Sequence, residues 1–194
     1  MNRTIPFPIL KNFELMFRGF YFIVGLLVVA VAVNAAFDSK MKHYVAMTGL
    51  PANISVKEKE RQLQCLTQNI YWEAASEPFE GKVAVAQVTM NRMNSGKFPD
   101  SVCGVVQQRN VIYEKVICQF SWFCETAHKT KPVHPRLYEE SEAVAKKVLF
   151  EGFRLDSMRE ALYYHADYVN PKWNKDRVGT IGRHIFYKDK DSRI

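Results

Sequence analysis

Runs of basic charge are missing from this sequence. Lys and Arg total 27 against 20 Asp and Glu, a net charge of +7, yet nowhere do five or more Lys or Arg stand together. A basic excess suits an anionic partner, such as nucleic acid, a membrane surface or an acidic cell-wall polymer. Charge scattered in this way, with no nucleic-acid-binding motif, argues against nucleic acid. Internal repeats and low-complexity segments are also missing, which excludes solenoid and array architectures. With 47% apolar and 24% charged residues, global disorder is excluded and a packed core is expected. A length of 194 residues suits one domain and a short appendage.

Charge is absent altogether from one stretch. Gly19 to Phe37, "GFYFIVGLLVVAVAVNAAF", has no Asp, Glu, Lys, Arg or His in 19 residues. As a helix it is about 28 Å long, close to the hydrocarbon thickness of a bilayer. An uncleaved signal anchor is the expectation. A buried soluble helix is one alternative. A signal peptide cleaved near Val33-Asn34-Ala35 is another, although the leader before it is long. Release of a weakly anchored span, with its Gly25 and several Ala, is a further option. Arg3, Lys11 and Arg18 precede the span and Lys40 and Lys42 follow it, a weak vote for a cytoplasmic N-terminus. The basic cluster beside a span that would mark a binder of anionic lipids is missing.

Cysteine is sparse. Cys65, Cys103, Cys118 and Cys124 all follow the span, and their number is even. Disulfides in an oxidising compartment, the periplasm of a bacterium, are the expectation. Four free buried thiols are the alternative. Zinc is a third reading, but the C-x5-C pair lacks a second tight pair or a His pair. No metal and no organic cofactor is expected.

The chain divides into a short cytoplasmic segment (1–18), the signal anchor (19–37), a tether (38–54) and a folded domain (55–194). Ser55 and Glu58 form a capping-box pattern, and Leu63, Leu66 and Ile70 share one helical face. That helix should end near Ala74, because Pro78 breaks it. The next helix, near Glu80 to Met93, is apolar nearly all round and should run through the domain's centre. "NSGKFPDS" reads as a loop, and a short helix follows from Ser101 to about Gln108. Residues 111–122 have no assignable pattern. Pro135 opens another helix and Gly152 stops it. "ALYYHADYV" and "RHIFYK" read as short strands or ordered loops.

Three carboxylates, Glu73, Glu77 and Glu80, lie within "IYWEAASEPFEG". Glu73 falls at the C-terminal end of a predicted helix, where the dipole disfavours an ionised carboxylate. Its neighbours Tyr71 and Trp72 would reduce its solvation. Both effects raise a carboxyl pKa, which a general acid needs near neutral pH. Glu77 and Glu80 flank Pro78 at the next helix start, where the dipole favours ionisation. They read as helix-start acids.

The blocks Cys65–Val106, "CQFSWFC", "ALYYHADYVNPKW" and "IGRHIFYK" together resemble the SleB/CwlJ-type cell wall hydrolase family, in family order. The resemblance covers essentially the whole soluble domain. It implies an α+β, mainly helical, lysozyme-like domain with a small β portion, and cleavage of peptidoglycan glycan strands. The family's catalytic glutamate, in Y-x-E-A, falls on Glu73. The position after "EA", often Arg in relatives, is Ala75 here, which removes one positive charge beside the acid. The resemblance also pairs Cys65 with Cys103 and Cys118 with Cys124.

The implied reaction is lytic transglycosylation between N-acetylmuramic acid and N-acetylglucosamine, with Glu73 as sole acid/base. Two-carboxylate hydrolysis is the other route, and Asp156, Asp167 and Asp176 are the spare acids. Gln119 and Ser121 would hydrogen-bond sugar or lactyl groups. Tyr164, His165, Asn170 and Trp173 would offer polar tips and stacking faces to carbohydrate, or else serve as structural aromatics and polar groups. His184 is a weaker candidate. The expected setting is the inner membrane with a periplasmic domain, in cell-wall remodelling or phage lysis. The alternative function is a non-catalytic, membrane-anchored peptidoglycan binder.

Overall fold

The computed structural model describes residues 7–48, 50, 53–125 and 131–190, and in the first helix the side chains of residues 18–40. The chain divides into two compact units, Met1–His43 and Tyr44–Ile194. Most of helix α1, Phe7–Thr48, belongs to the first. Its Arg18–Lys40 stretch is, by length and composition, long and apolar enough to cross a membrane. Apolar side chains from Phe20 to Phe37 are exposed along it. Asn34, the one amide in this stretch, donates to the Ala30 carbonyl at 3.0 Å, so that its polarity is met within the helix. The helix continues past the apolar run, because residues 38–48 contain neither Gly nor Pro.

In the second unit, α2 spans Val56–Ala74 behind the cap at Ser55, whose side chain accepts the Glu58 amide. Only that half of the capping box forms. The Glu58 carboxylate instead takes Arg61 and Gln62 on the next turn, and the Arg61 hydrogen bond holds it at a pKa of about 2. Helix α3, Phe79–Asn94, is buried over nearly all its length. One side of it (Val83, Ala86, Met90) joins Leu66 and Ile70 of α2 in the larger core. The other (Ala84, Val85, Val88) meets Met158, Ala161 and Phe186. Each such large side chain, fully buried, contributes about 1.5–3 kcal/mol.

The polar residues of α3 are structural staples. The Gln87 amide donates to the Leu155 carbonyl at 3.1 Å and accepts the Leu155 amide at 2.8 Å. Asn91, one turn on, donates to the Met158 and Ala161 carbonyls at 2.9 and 2.8 Å. These bonds bind the irregular backbone of 155–162, which carries a 3-10 turn at Asp156–Met158, along the side of α3.

Helix α4, Val102–Val106, is capped by Ser101. The unassigned stretch after it is a β-hairpin, β1 (Arg109–Ile112) against β2 (Lys115–Cys118). Its turn residues Tyr113 and Glu114 both have positive φ, a primed turn that no Asn-Gly signal announces. Short helix α5, Ser121–Cys124, follows. Helix α6, Pro135–Phe150, contributes Val144, Val148 and Leu149 to the larger core. Strands β3 (Tyr163–Ala166), β4 (Lys175–Ile181) and β5 (His184–Asp189) form an antiparallel sheet in the order β3-β5-β4. Strand β4 had no sequence signal; its pairing with β5 through the turn at Gly182 creates it.

Candidate active site

Glu73 is the last residue but one of α2. It is partly buried, and the Tyr164 hydroxyl of β3 donates to its Oε2 at 3.1 Å. Burial is the largest influence on its carboxyl and raises the pKa above the ordinary range. The Tyr164 bond and the Arg92 charge oppose that rise, and the Glu125 charge adds to it. The same burial, with the Glu73 charge, pushes the Tyr164 phenol far up. Tyr164 is therefore a permanent donor and the carboxyl the group that titrates.

The rings that precede Glu73 in sequence are engaged with other rings. Tyr71 packs edge-on to Trp72 and against Tyr138, and Trp72 stacks beside Trp122. Successive helix residues point about 100° apart, so these aromatics cover other faces of α2.

Arg92 lies beneath the acid in α3. It is 4% exposed. Its Nε donates to the Leu162 carbonyl at 2.7 Å, and its guanidinium lies against the rings of Phe98, Phe120 and Tyr163. Its Nη1 is buried without a hydrogen-bond partner among the described residues. Burial lowers its pKa, and the Tyr164, Tyr163 and Glu73 charges oppose that. An Arg inside a helix buried over nearly all its length is the sequence signal for this residue. Glu125 was missed. It directly follows Cys124 and is the acid whose charge acts on Glu73. Asp156 is exposed and paired to Arg159 at 2.9 Å, and Asp167 faces Arg183 at 3.9 Å.

Asn69 stands one turn before Glu73 on the same face. Its Oδ1 accepts from Trp122 Nε1 at 3.2 Å, and its Nδ2 donates to Thr89 Oγ1 at 3.2 Å. Trp122 is thereby fastened to α2. Gln119 precedes α5, and its backbone N–H donates to the Gln108 carbonyl, which extends the hairpin ladder. Ser121 is exposed at the first residue of α5. The bridge Cys118–Cys124 encloses both Gln119 and Ser121, and Cys65–Cys103 ties α2 to α4. These are the two pairings the family resemblance implies.

The sheet divides the remaining candidates. Tyr164 shares one face with Phe186 and His184, toward Glu73. His165, the next residue, necessarily points to the other face. There its Nε2 meets the Tyr187 hydroxyl at 3.0 Å, its ring stacks on Tyr187, and Trp173 packs edge-on to both. Asn170 is exposed in the loop between β3 and β4. His184 is buried, which lowers its pKa against the opposing charges of Glu77 and Asp167. Glu77 itself is a strut. Its Oε2 accepts the Arg183 amide at 2.9 Å, so the joint between α2 and α3 is tied to the β4–β5 turn.

A sequence profile of the family described as Cell Wall Hydrolase matches residues 76–187, more than half of the chain. The chain belongs to this family. The matched stretch begins just after Glu73 and contains the hairpin, α5 and all of the sheet but the last two residues of β5. A spore cortex-lytic enzyme of Bacillus subtilis (strain 168) is 30% identical over 143 residues, 70% of this chain and 40% of that protein. One from Oceanobacillus iheyensis is 29% identical over 149 residues, 72% of this chain and 46% of its own length. The chain thus spans less than half the length of these curated relatives.

Two solved structures match at 26% identity. The catalytic domain of the Bacillus cereus SleB protein has a TM-score of 0.51 and covers 73% of this chain and 97% of its own. The catalytic domain of a germination-specific lytic transglycosylase, SleB from Bacillus anthracis, has a TM-score of 0.52 and covers 72% and 100%. The second unit therefore has the mainly helical fold of a lytic catalytic domain, with small sheets.

Proposed function

We propose that this chain cleaves the glycan strands of peptidoglycan between N-acetylmuramic acid and N-acetylglucosamine, as a lytic transglycosylase with Glu73 as acid and base. The observation that carries this reading is the Glu73 carboxyl itself. Burial at a helix C-terminus favours its protonated form, and the Tyr164 bond orients it. Glu73 gives its proton to the glycosidic oxygen as the bond from that oxygen to the anomeric carbon breaks. The C6 hydroxyl of the muramoyl unit then closes on the anomeric carbon, and its proton returns to Glu73. A 1,6-anhydro sugar is the product. Hydrolysis is the second reading, and Glu125 favours it, because a second carboxylate acts on Glu73 and two-carboxylate glycosidases need one. In this proposal α1 anchors the chain in the inner membrane, N-terminus inside. The disulfide-bearing unit works in the periplasm, where such bridges persist, in wall remodelling or phage lysis.

The test uses the full chain in detergent on isolated peptidoglycan, with products weighed by mass spectrometry. Anhydro-sugars support the transglycosylase, and reducing ends support hydrolysis. Glu73→Gln should lose about 10²–10⁴-fold in rate, the usual contribution of a general acid. Activity equal to wild type would remove Glu73 from the chemistry.

A further inference from the structure

A cavity of about 290 Å³ lies against the face of α2 that carries Gln68 and Trp72, about 100° around the helix from Glu73, and is lined by these two with Trp122, Phe123, Lys131, Val133 and Tyr138. Its walls are held from three sides. Gln68 and Trp72 lie one turn apart on α2. Trp122 is bonded to Asn69 and stands with Phe123 inside the Cys118–Cys124 loop. The 131–134 segment is tied down by the His134 amide, which donates to the Tyr71 hydroxyl at 2.8 Å. The volume is near the lower end of small-molecule sites, which run from roughly 300 to 1,000 Å³.

The lining chemistry narrows the occupant. Among the described residues, aromatic and aliphatic surface is the larger share of the lining, and Gln68, Tyr138 and Lys131 bring an amide, a phenol and an ammonium. Apolar faces beside a single cation suit a ligand with small apolar groups and an anionic end. A short chain with methyl side groups and a carboxylate fits: the methyls rest on the indole and phenyl faces and the carboxylate meets Lys131. In a peptidoglycan strand that description belongs to the stem peptide, which hangs from the muramoyl unit next to the bond to be cut.

We infer that this pocket is a subsite for the stem peptide of a muramoyl unit, with Trp72 and Trp122 as its apolar floor and Lys131 as the carboxylate contact. The subsite rests on the peptidoglycan reading above. It selects strands that carry stems over bare ones. Neither Lys131 nor Trp72 takes part in proton transfer.

Binding and cleavage test it separately. Full-length Glu73→Gln protein in detergent is titrated with a soluble disaccharide bearing its stem peptide and with the same disaccharide lacking it. Tryptophan fluorescence reports the pocket directly. The stem-bearing ligand should bind at least about tenfold tighter, a difference of about 1.4 kcal/mol. Lys131→Ala should abolish that preference and Lys131→Arg should keep most of it. In the active chain, Lys131→Ala should raise KM for stem-bearing strands with little change in kcat. Trp72→Phe should act in the same direction and preserves the packing better than Ala. Equal binding of the two disaccharides, or a preference that survives Lys131→Ala, overturns the subsite. A wild type that leaves peptidoglycan uncut overturns the cleavage reading, and the fluorescence titration still decides the pocket.

Discussion

The Tyr164 hydroxyl donates to Glu73 Oε2 at 3.1 Å, across 91 residues of sequence. This bond joins the end of a helix to the first strand of a sheet. It gives a titrating carboxyl one fixed partner in a setting that burial otherwise dominates.

Removing that partner should move the pH profile in a defined direction. The Tyr164 bond favours the ionised carboxylate, so it holds the Glu73 pKa below where burial alone would set it. In Tyr164→Phe the pKa should climb further. Cleavage needs protonated Glu73, so the alkaline limb of kcat/KM should shift to higher pH than in wild type. A pH-rate profile of both proteins measures it, and a limb that stays put or shifts down contradicts the assignment.

The same burial predicts how stability varies with pH. The Glu73 pKa is higher folded than unfolded, so the native state binds this proton more tightly. Stability falls with rising pH wherever the native state holds more protons. The contribution of Glu73 is therefore fully present below its unfolded pKa and is lost as pH rises through its folded one. Glu73→Gln does not titrate there. The variant should gain on wild type as pH rises from acid toward neutral, read as urea midpoints at several pH values. A constant gap would contradict the raised pKa.

The two bridges should differ in effect. A loop closed over a separation of 38 residues is worth about 4 kcal/mol of stability, and one over 6 about 2 kcal/mol, by loop entropy. Cys65→Ala with Cys103→Ala should give the larger drop in denaturant midpoint. Cys118→Ala with Cys124→Ala should destabilise less but raise KM more, because that loop carries Trp122 and Phe123.

Gly182 sits in the β4–β5 turn at φ +56°, and a Cβ there would overlap the Glu77 carboxylate. Left-handed backbone costs a residue with a side chain about 1–2 kcal/mol, and the overlap adds to it. Gly182→Ala should therefore lower stability by at least that amount. Adding Glu77→Ala removes the overlap, so the double variant should lose less than the sum of the singles. Simple additivity in thermal melts would show that the strut is not there.

Much of this architecture was legible locally. Ser55, Pro135 and Gly152 mark helix ends because caps depend on residues within one turn. The all-round apolar pattern of Val83 to Met90 placed α3 at the centre. The hairpin at 109–118 was not legible, because its strands are exposed on almost every position and carry no alternation of burial to read. Strand β4 was invisible for a similar reason: its partner β5 makes it a strand.

The sequence by itself determined the family, the apolar N-terminal helix, and the place of Glu73 at a helix end where the local field resists ionisation. Tertiary structure alone decided what surrounds that acid. Desolvation is a property of packing, and the groups that pack there come from far along the chain: Tyr164 from the sheet, Arg92 from the central helix and Glu125 from beyond a disulfide loop. It also decided that neighbours in sequence part company, Tyr164 toward Glu73 and His165 to the opposite face, because successive strand residues point to opposite sides.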